Sequence, residues 1–300
     1  MQNGRWWVAW LLLIFLALIW GSSFILIKYG LFYVNTEGQK LPTFDGFQLG
    51  ALRIFIASIV LLPFLFKHLK REYLKKWKSL LIVGLCGNGI PAFLFGLAEE
   101  SLDSGLVGMM NSFTAVFTLV IGILIFRLRP KWVNMIGVSI ATVGAVILGT
   151  AGYNGSVGSF WGLLLVIIAT LMYAISLNTI KYKLSSVPSI AITAISFLFI
   201  GPLCGILAFS FGAADVAKHI EGGMFSLLMI SILSVVGTAF AVIVFNYVIK
   251  SSSALFASSV TYLIPIVALL WGLADGELLS SLHLVGMVTI CVGVYLVNRR

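Results

Sequence analysis

Long apolar segments separated by short polar loops fill most of this 300-residue sequence. A helix that crosses the hydrocarbon core of a bilayer needs about 20 predominantly apolar residues. Ten segments meet this requirement, at residues 8–30, 45–66, 79–99, 104–126, 132–150, 159–181, 188–211, 225–249, 252–273 and 280–298. Only 10% of the residues are charged, whereas about 25% is usual for a soluble domain. The sequence therefore predicts an all-α membrane protein with ten transmembrane helices.

The basic residues are distributed unevenly between the two sides that these segments would define. If the N-terminus is cytoplasmic, fifteen of the nineteen Lys and Arg residues lie on the cytoplasmic side and only Lys28, Lys40 and Lys218 lie opposite. Cytoplasmic loops of membrane proteins carry an excess of Lys and Arg. The distribution therefore predicts a multi-pass protein of the inner (plasma) membrane with both termini in the cytoplasm. It also accounts for the net charge of +9, so no nucleic-acid partner is expected.

A motif in the first apolar segment recurs half a chain length later. Residues 17–31, ALIWGSSFILIKYGL, align with residues 170–184, TLMYAISLNTIKYKL, at an offset of 153. Later parts of each half align at an offset of 150. Equivalent positions include Trp20 and Tyr173, Ser23 and Ser176, Lys28 and Lys181, Asn88 and Thr238, and Asn111 and Thr261. The sequence therefore predicts two repeats, at residues 1–152 and 153–300.

Each repeat would contain five transmembrane helices. Because five is an odd number, the second repeat enters the membrane from the opposite side and is inverted relative to the first. Inverted repeats are typical of secondary transporters, in which the two halves expose a central site to either side of the membrane in turn. The repeat therefore predicts a carrier that works by alternating access.

Several short motifs occur in a fixed order along the chain. They are Trp20-Gly21-Ser22-Ser23-Phe24, Arg53 with Pro63, Pro265, Gly276-Glu277, and Gly286 with Gly293. In this order they resemble the drug/metabolite transporter superfamily, EamA type, across almost the whole sequence. Members of that superfamily are ten-helix carriers; many export amino acids and other small metabolites, and others move nucleotide sugars or triose phosphates. The resemblance implies an exporter of amino acids or similar metabolites.

Polar and aromatic side chains deep within the apolar segments are the candidates for a solute pathway. A polar group in the bilayer core must be satisfied internally or serve a function. The candidates are Trp20, Ser23, Asn88, Asn111, Thr114, Tyr173, Ser176, Thr238 and Tyr262. For each of them, helix packing or a local hydrogen bond is the alternative role. Pro91, which follows Gly-Asn-Gly, and Pro265 predict helix kinks.

Arg53 is the one charged residue well inside a predicted segment. A mid-membrane arginine costs about 2.5–3.5 kcal/mol on the insertion scale unless it reaches the surface or finds a partner. Since Asp45 lies eight residues away, we expect Arg53 either to reach outward and pair with an acid on that side or to act in gating or carboxylate binding.

The polar side chains that the segments lack also restrict the solute. No acidic residue lies in the middle of a segment, which disfavours exchange of protons for cationic drugs. No buried run of Lys or Arg is present, which disfavours nucleotide sugars and sugar phosphates. A neutral, aromatic site is therefore expected, suited to zwitterions or uncharged metabolites. Multidrug export is the main alternative.

No enzymatic activity, cofactor or metal is expected. The three histidines are far apart in sequence, and the three cysteines have no metal-ligand spacing. The expected partners are a small solute and the lipid bilayer, and the sequence leaves a homodimer open.

Overall fold

Helices account for every long apolar segment in the described part of the chain. The computed structural model describes residues 6–102, 104–151, 160–274 and 280–297. The boundary between the predicted repeats, at 152/153, and the motif Gly276-Glu277 lie outside these residues.

In the first half, the helical elements follow one another along nearly the whole chain. They are α1 (Trp6–Leu31), α2 (Gly46–His68), α3 (Arg71–Leu74), α4 (Trp77–Gly84), π1 (Leu85–Gly89), α5 (Ile90–Glu99), α6 (Ser104–Asn111), α7 (Phe113–Leu124) and α8 (Trp132–Ala151). The loop after α1 contains a small antiparallel hairpin of β1 (Phe32–Val34) and β2 (Lys40–Pro42), which the sequence pattern does not predict.

The second half repeats this order without the hairpin in its described residues. Its elements are α9 (Phe160–Lys183), α10 (Ser189–Ser210), α11 (Ala213–His219), α12 (Gly223–Ile232), π2 (Leu233–Phe240), α13 (Ala241–Ser251), α14 (Ala254–Ser258), α15 (Val260–Ala274) and α16 (Ser281–Val297).

Within the described residues, seven helical runs are long and apolar enough to cross a membrane. They are Trp7–Leu31, Gly46–His68, Trp77–Glu99, Leu106–Leu124, Phe160–Lys183, Ser189–Ser210 and Gly223–Ser251. The other three predicted segments coincide with shorter apolar helices, Trp132–Ile147, Ala254–Val267 and Ser281–Val297. The prediction of a helical, multi-pass membrane protein is confirmed.

A π-helical stretch interrupts the third apolar run of each half. π1 separates α4 from α5, and π2 separates α12 from α13. Asn88 lies in π1 and Thr238, its equivalent at an offset of 150, lies in π2. Glycines at positions 87 and 89 and Pro91 disfavour regular α-helix around Asn88, which explains why the hydrogen-bond ladder widens there.

Two pairs of helices hold the halves together at the edges of the bundle. α8 packs against α16, where a Cβ at Gly144 would lie only 2.6 Å from the backbone nitrogen of Ile290. α2 packs against α10, where a Cβ at Gly205 would lie 2.5 Å from the ring of Phe55. Gly144 lets the backbones of α8 and α16 approach closely, as small residues do between membrane helices, and Gly205 makes room for the Phe55 ring.

At the centre of the bundle, the first helix of each half packs against the helices of the other half. α1 packs against α12, π2, α13 and α15 of the second half. α9 packs against α4, π1, α5 and α7 of the first half. The two sets of contacts correspond element by element, so α1 and α9 occupy equivalent positions on either side of the bundle centre.

The loops gather at two ends of the bundle. At the basic end, formed by the loops after α2, α7, α9 and α13, Lys76 Nζ donates to the carbonyl of Lys183 at 3.1 Å, and Phe126 stacks on Tyr182. At the acidic end, formed by the loops after α1, α5 and α10, Gly46 N donates to the Glu100 carboxylate. The loops that the sequence assigns to one side of the membrane therefore lie together.

Candidate solute-binding cavity

A cavity of about 110 Å³ lies at the centre of the bundle, where α1 and α9 face each other. About 10–15 Å³ by this measure holds one water molecule, so the cavity has room for several waters or a small solute. Its walls come from both halves. The lining residues are Trp20, Ser23, Phe24, Ile27, Arg53, Val83, Gly87, Asn88, Phe95, Asn111, Thr114, Tyr173, Ser176, Leu177, Ile180, Gly237, Val242, Phe245, Asn246, Ile249, Thr261 and Ile264.

Most of these residues occur as pairs related by the internal repeat. At the offsets of 153 and 150, eight pairs line the cavity. They are Trp20 and Tyr173, Ser23 and Ser176, Phe24 and Leu177, Ile27 and Ile180, Gly87 and Gly237, Phe95 and Phe245, Asn111 and Thr261, and Thr114 and Ile264. The cavity therefore has two opposite walls of matching construction.

Matching aromatic contacts shape the two walls. The Trp20 ring meets Phe245 edge to face, with centroids 4.7 Å apart and an interplanar angle of 78°. The Tyr173 ring stacks on Phe95 at 5.7 Å and 23°. Each pair joins the first helix of one half to the third apolar run of the other, so each wall includes residues from both repeats.

The π-helical stretches bring the backbone close to the cavity. Trp20 Nε1 donates to the carbonyl of Gly237, which lies in π2, at 2.9 Å. A Cβ at Gly237 would lie 3.0 Å from Ser23 Oγ, and a Cβ at Gly87 would clash with Ser176 Oγ. Each glycine therefore lets a serine of the opposite helix approach the π-helical backbone, and the contact is made twice.

Amide and hydroxyl groups supply the neutral polar surface. Asn88 is 8% exposed and faces the cavity, and its side chain makes no hydrogen bond with the residues that the structure describes. Asn111 Oδ1 accepts from Thr114 Oγ1 at 3.3 Å. Asn246 Nδ2 instead donates to Thr193 Oγ1 at 2.9 Å, which ties α13 to α10. Asn88 is thus the amide most available to a solute.

Arg53 lies in the cavity wall and does not reach Asp45. Its Nε donates to Thr238 Oγ1 at 2.7 Å, across the boundary between the halves. Asp45 instead caps α2 by accepting from Gln48 N at 2.6 Å. The expected neutral site is therefore replaced by one that holds a cation, because α2 turns Arg53 toward the interior.

Two of the nine predicted pathway residues lie outside the lining. Thr238 is buried and touches the cavity only through Arg53. Tyr262 is fully buried, and its hydroxyl lies 3.0 Å from Thr142 Oγ1 on α8. Thr261 faces the cavity, and the next residue of a helix points about 100° away, so Tyr262 packs into the bundle.

Pro91 lies in the first turn of α5, directly after π1, and Pro265 lies inside α15.

Several lining residues are not predicted from the sequence because they are apolar. Phe95 and Phe245 are ordinary members of hydrophobic runs, yet they occupy equivalent positions at the offset of 150. That equivalence was the signal that could have identified them.

Among the described residues, no group of three or more His, Cys, Asp or Glu side chains could hold a metal ion.

Lysine side chains tie helices together at the basic end of the cavity. Lys181 Nζ donates to the carbonyl of Lys250 at 3.2 Å and to the carbonyl of Ser252. Lys250 Nζ donates to the carbonyl of Val187. These bonds join the ends of α9 and α13 and satisfy carbonyls that a helix terminus leaves unpaired.

The equivalent lysine at the acidic end makes no such contact. Lys28, which corresponds to Lys181, is exposed and forms no hydrogen bond with the residues that the structure describes. The two ends of the cavity therefore differ in their lysine contacts.

A helical membrane protein with a central cavity lined in matched pairs by its two halves has the construction of a solute transporter. Comparison with known proteins agrees with this class. The chain belongs to the EamA-like transporter family, whose sequence profile matches it twice, at residues 7–150 and 160–299.

Individual relatives are distant but align over nearly their full length. An uncharacterized inner membrane transporter of Escherichia coli strain K12, YedA, is 25% identical over 94% of this chain and 88% of its own. A probable amino-acid metabolite efflux pump of Salmonella typhimurium is 25% identical over 95% of this chain and 93% of its own. A crystal structure with 14% identity superimposes with a TM-score of 0.69 and covers 97% of each chain, which supports the fold.

Proposed function

We propose that this protein is a secondary transporter that exports small metabolites such as amino acids by alternating access between two inverted five-helix repeats. The observation that carries the proposal is the pairing of the cavity walls. A binding site made of equivalent residues from two inverted halves looks similar from either side of the membrane, as an alternating-access carrier requires.

The ten-helix interpretation adds the three shorter apolar helices to the seven long ones. Each of the three coincides with a segment predicted from hydropathy, and α8 and α16 pack along each other at the edge of the bundle. With five helices in each half, the second half is inverted. The excess of Lys and Arg at the basic end supports a cytoplasmic location for that end and for both termini.

Lys28 and Lys181 could alternate in closing the two ends of the cavity as the carrier changes between its two conformations. In this structure, Lys181 joins the basic ends of α9 and α13 through the carbonyls of Lys250 and Ser252, and we take these bonds as the ones that close this end. At the offset of 150, the equivalent acceptors at the acidic end are the carbonyls of Glu100 and Leu102. When the halves exchange conformations, Lys28 closes the acidic end through these acceptors and Lys181 is released.

The chemistry of the walls supports the proposed substrate class. Trp20, Phe95, Tyr173 and Phe245 provide an apolar surface, and Asn88 provides an amide for orientation. Such a site suits a small metabolite with an apolar part and a few polar groups. The relative from Salmonella typhimurium is named a probable amino-acid metabolite efflux pump, and this name supports the same substrate class here.

Multidrug export is the second candidate, because four aromatic rings would also accept flat organic compounds. The two functions differ in stereoselectivity. A metabolite exporter oriented by an amide distinguishes L from D enantiomers, whereas a drug exporter that relies on apolar contact does not.

The test is efflux from proteoliposomes loaded with a mixture of L-amino acids, D-amino acids and aromatic drugs. Mass spectrometry follows the release of each compound, with protein-free liposomes as the blank. The double variant Trp20→Ala/Asn88→Ala removes one residue from each side of the site, and the lipid-exposed Leu11→Ala serves as the matched control. Selective release of L-amino acids, lost only in the double variant, is expected. Release of no compound above the blank would refute transport.

A further inference from the structure

We infer that Arg53 is the recognition group for a single carboxylate on the solute, so that the substrates are small monocarboxylates with an apolar body. This inference rests on the proposed function, since it assigns a ligand group to the cavity of the proposed transporter. It concerns a residue whose surroundings differ from those expected of a structural ion pair at the membrane surface.

Only one nitrogen of the Arg53 guanidinium, Nε, makes a hydrogen bond within the described structure. Its Nε donates to Thr238 Oγ1 at 2.7 Å, and the same hydroxyl donates to the carbonyl of Leu233 at 3.2 Å. The hydroxyl proton is therefore committed to Leu233, and an oxygen lone pair faces Arg53. The two terminal nitrogens make no hydrogen bond with the described residues. Their fork geometry matches a carboxylate, which accepts two parallel N–H groups.

The π-helix fixes this arrangement. Thr238 lies five residues after Leu233, and its hydroxyl reaches back to that carbonyl within π2. A side chain anchored in this way has one orientation, so the guanidinium is positioned before a ligand arrives. Because Arg53 belongs to the first half and Thr238 to the second, a ligand on Arg53 would contact the junction that rearranges during transport.

The cation breaks the symmetry of an otherwise paired cavity. α10 is the second-half counterpart of α2, and none of its residues is charged. The cavity therefore carries one guanidinium, not two. One cation matches a monoanionic group; a phosphate or a dicarboxylate would leave negative charge without a partner in a site enclosed by apolar helices.

The groups around Arg53 suit the remainder of such a solute. Asn88 offers an amide that is not used within the described structure, and Trp20, Tyr173 and Phe245 bound the space with aromatic rings. A polar headgroup at Arg53 and Asn88 would thus direct an apolar body toward the aromatic walls.

Glu99 supplies the competing explanation. It is 7% exposed and interacts electrostatically with Arg53, although it does not line the cavity. If Arg53 served only to balance Glu99, removing either charge would affect folding alike, and the affinity of the protein for carboxylates would not depend on Arg53. The experiment must therefore measure ligand selectivity and folding separately.

The probes are three compounds with one apolar body: L-leucine, its carboxamide L-leucinamide, and 4-methylpentanoate, which lacks the amino group. Binding to the purified full chain is measured by ligand-induced thermal stabilisation and by competition in proteoliposomes. The variants are Arg53→Gln, Arg53→Lys, Glu99→Gln and Lys40→Gln. Lys40 is exposed in the hairpin, so its replacement removes one positive charge without touching the cavity.

A charge-assisted pair predicts that the wild type binds leucine about 10- to 100-fold more tightly than leucinamide. Arg53→Gln should abolish this ratio, Arg53→Lys should retain part of it, and Lys40→Gln and Glu99→Gln should preserve it. Comparable binding of 4-methylpentanoate would assign recognition to the carboxylate alone; weaker binding would add a requirement for the ammonium group while leaving Arg53 in its role.

Equal affinity of the wild type for leucine and leucinamide would overturn the inference, whatever the variants do, and would leave transport of other solutes standing. An unchanged ratio in Arg53→Gln would overturn it as well. If Arg53→Gln does not fold, the wild-type ratio and Arg53→Lys decide the question. Absence of efflux of every compound in the mixed panel would instead refute the proposed function itself.

Discussion

Replacing Lys181 with methionine should open the basic end of the cavity more often. Methionine keeps a long, unbranched side chain but removes the ammonium that joins the end of α9 to the last carbonyls of α13. The apolar packing around the stem is therefore largely retained. The effect of the substitution isolates the bonds to Lys250 and Ser252.

The size of the effect follows from those two bonds. A hydrogen bond to a charged group contributes about 1.5–3 kcal/mol when it is well formed and buried. Lys181 is only half-buried and its bond to the Lys250 carbonyl is long, at 3.2 Å. Solvent screening reduces the total to about 1.5 kcal/mol. Since about 1.4 kcal/mol corresponds to a factor of ten, the population that is open at the basic end should rise about tenfold.

The assay labels a cysteine placed at Ile180, which lines the cavity one residue before Lys181. The three native cysteines are first replaced by alanine. A membrane-impermeant maleimide is then added to the basic side of oriented vesicles, and the labelling rate reports how often that end opens. The rate in Lys181→Met should be about tenfold higher than in the parent with lysine at this position.

Lys28→Met is the matched control, because Lys28 is the equivalent lysine and is exposed in this state. Its loss should weaken only the state that is closed at the acidic end, so labelling from the basic side should stay the same or fall. The reasoning would be refuted if Lys181→Met changed the rate by less than twofold, or if Lys28→Met raised it equally.

Three further substitutions separate solute contacts from packing. Asn88→Ala should weaken solute binding about tenfold with no loss of stability, because its amide has no partner to lose within the described structure. Tyr262→Phe should lower stability by about 1 kcal/mol through loss of the bond to Thr142, while transport continues. Gly293→Val should destabilise the protein by about 1–3 kcal/mol, because a Cβ there meets the Ala141 backbone. Thermal unfolding in detergent and proteoliposome efflux measure the two properties.

Two of these substitutions have a control within the chain. Asn246→Ala, also in the cavity wall, should destabilise the protein because it breaks the 2.9 Å bond to Thr193. Val292→Leu lies beside Gly293 but is 47% exposed on the outer face of α16, so it should unfold like the wild type. A stability loss in Asn88→Ala, inactivity of Tyr262→Phe, or an unchanged unfolding midpoint in Gly293→Val would contradict the respective prediction.

Sequence patterns predicted the larger features of the molecule well. Hydropathy identified the apolar helices, since backbone groups in a bilayer must be satisfied within each helix and the signal is therefore strong. The repeat predicted which residues would be equivalent, and seven of the nine proposed pathway residues lie in one cavity. Their roles in transport remain predictions that the experiments above address.

Two features that sequence patterns could not decide, the orientation of Arg53 and that of Tyr262, share a physical cause. Sequence position alone does not give the rotation of a helix about its axis, and that rotation decides whether Arg53 turns toward Asp45 or toward Thr238. It likewise decides which of Thr261 and Tyr262 faces the cavity. The hairpin after α1 was missed because its strands are only three residues long, too short for an alternating pattern to be recognised.

The paired π-helical stretches carry information about the history of the chain. A π-helical turn accommodates an extra residue relative to the α-helix around it, so each stretch marks a small insertion. π1 and π2 fall at equivalent positions of the two halves. Two independent insertions at the same place would be a coincidence; one insertion before the duplication explains both. The widened turn is therefore a feature that the two halves of the chain share.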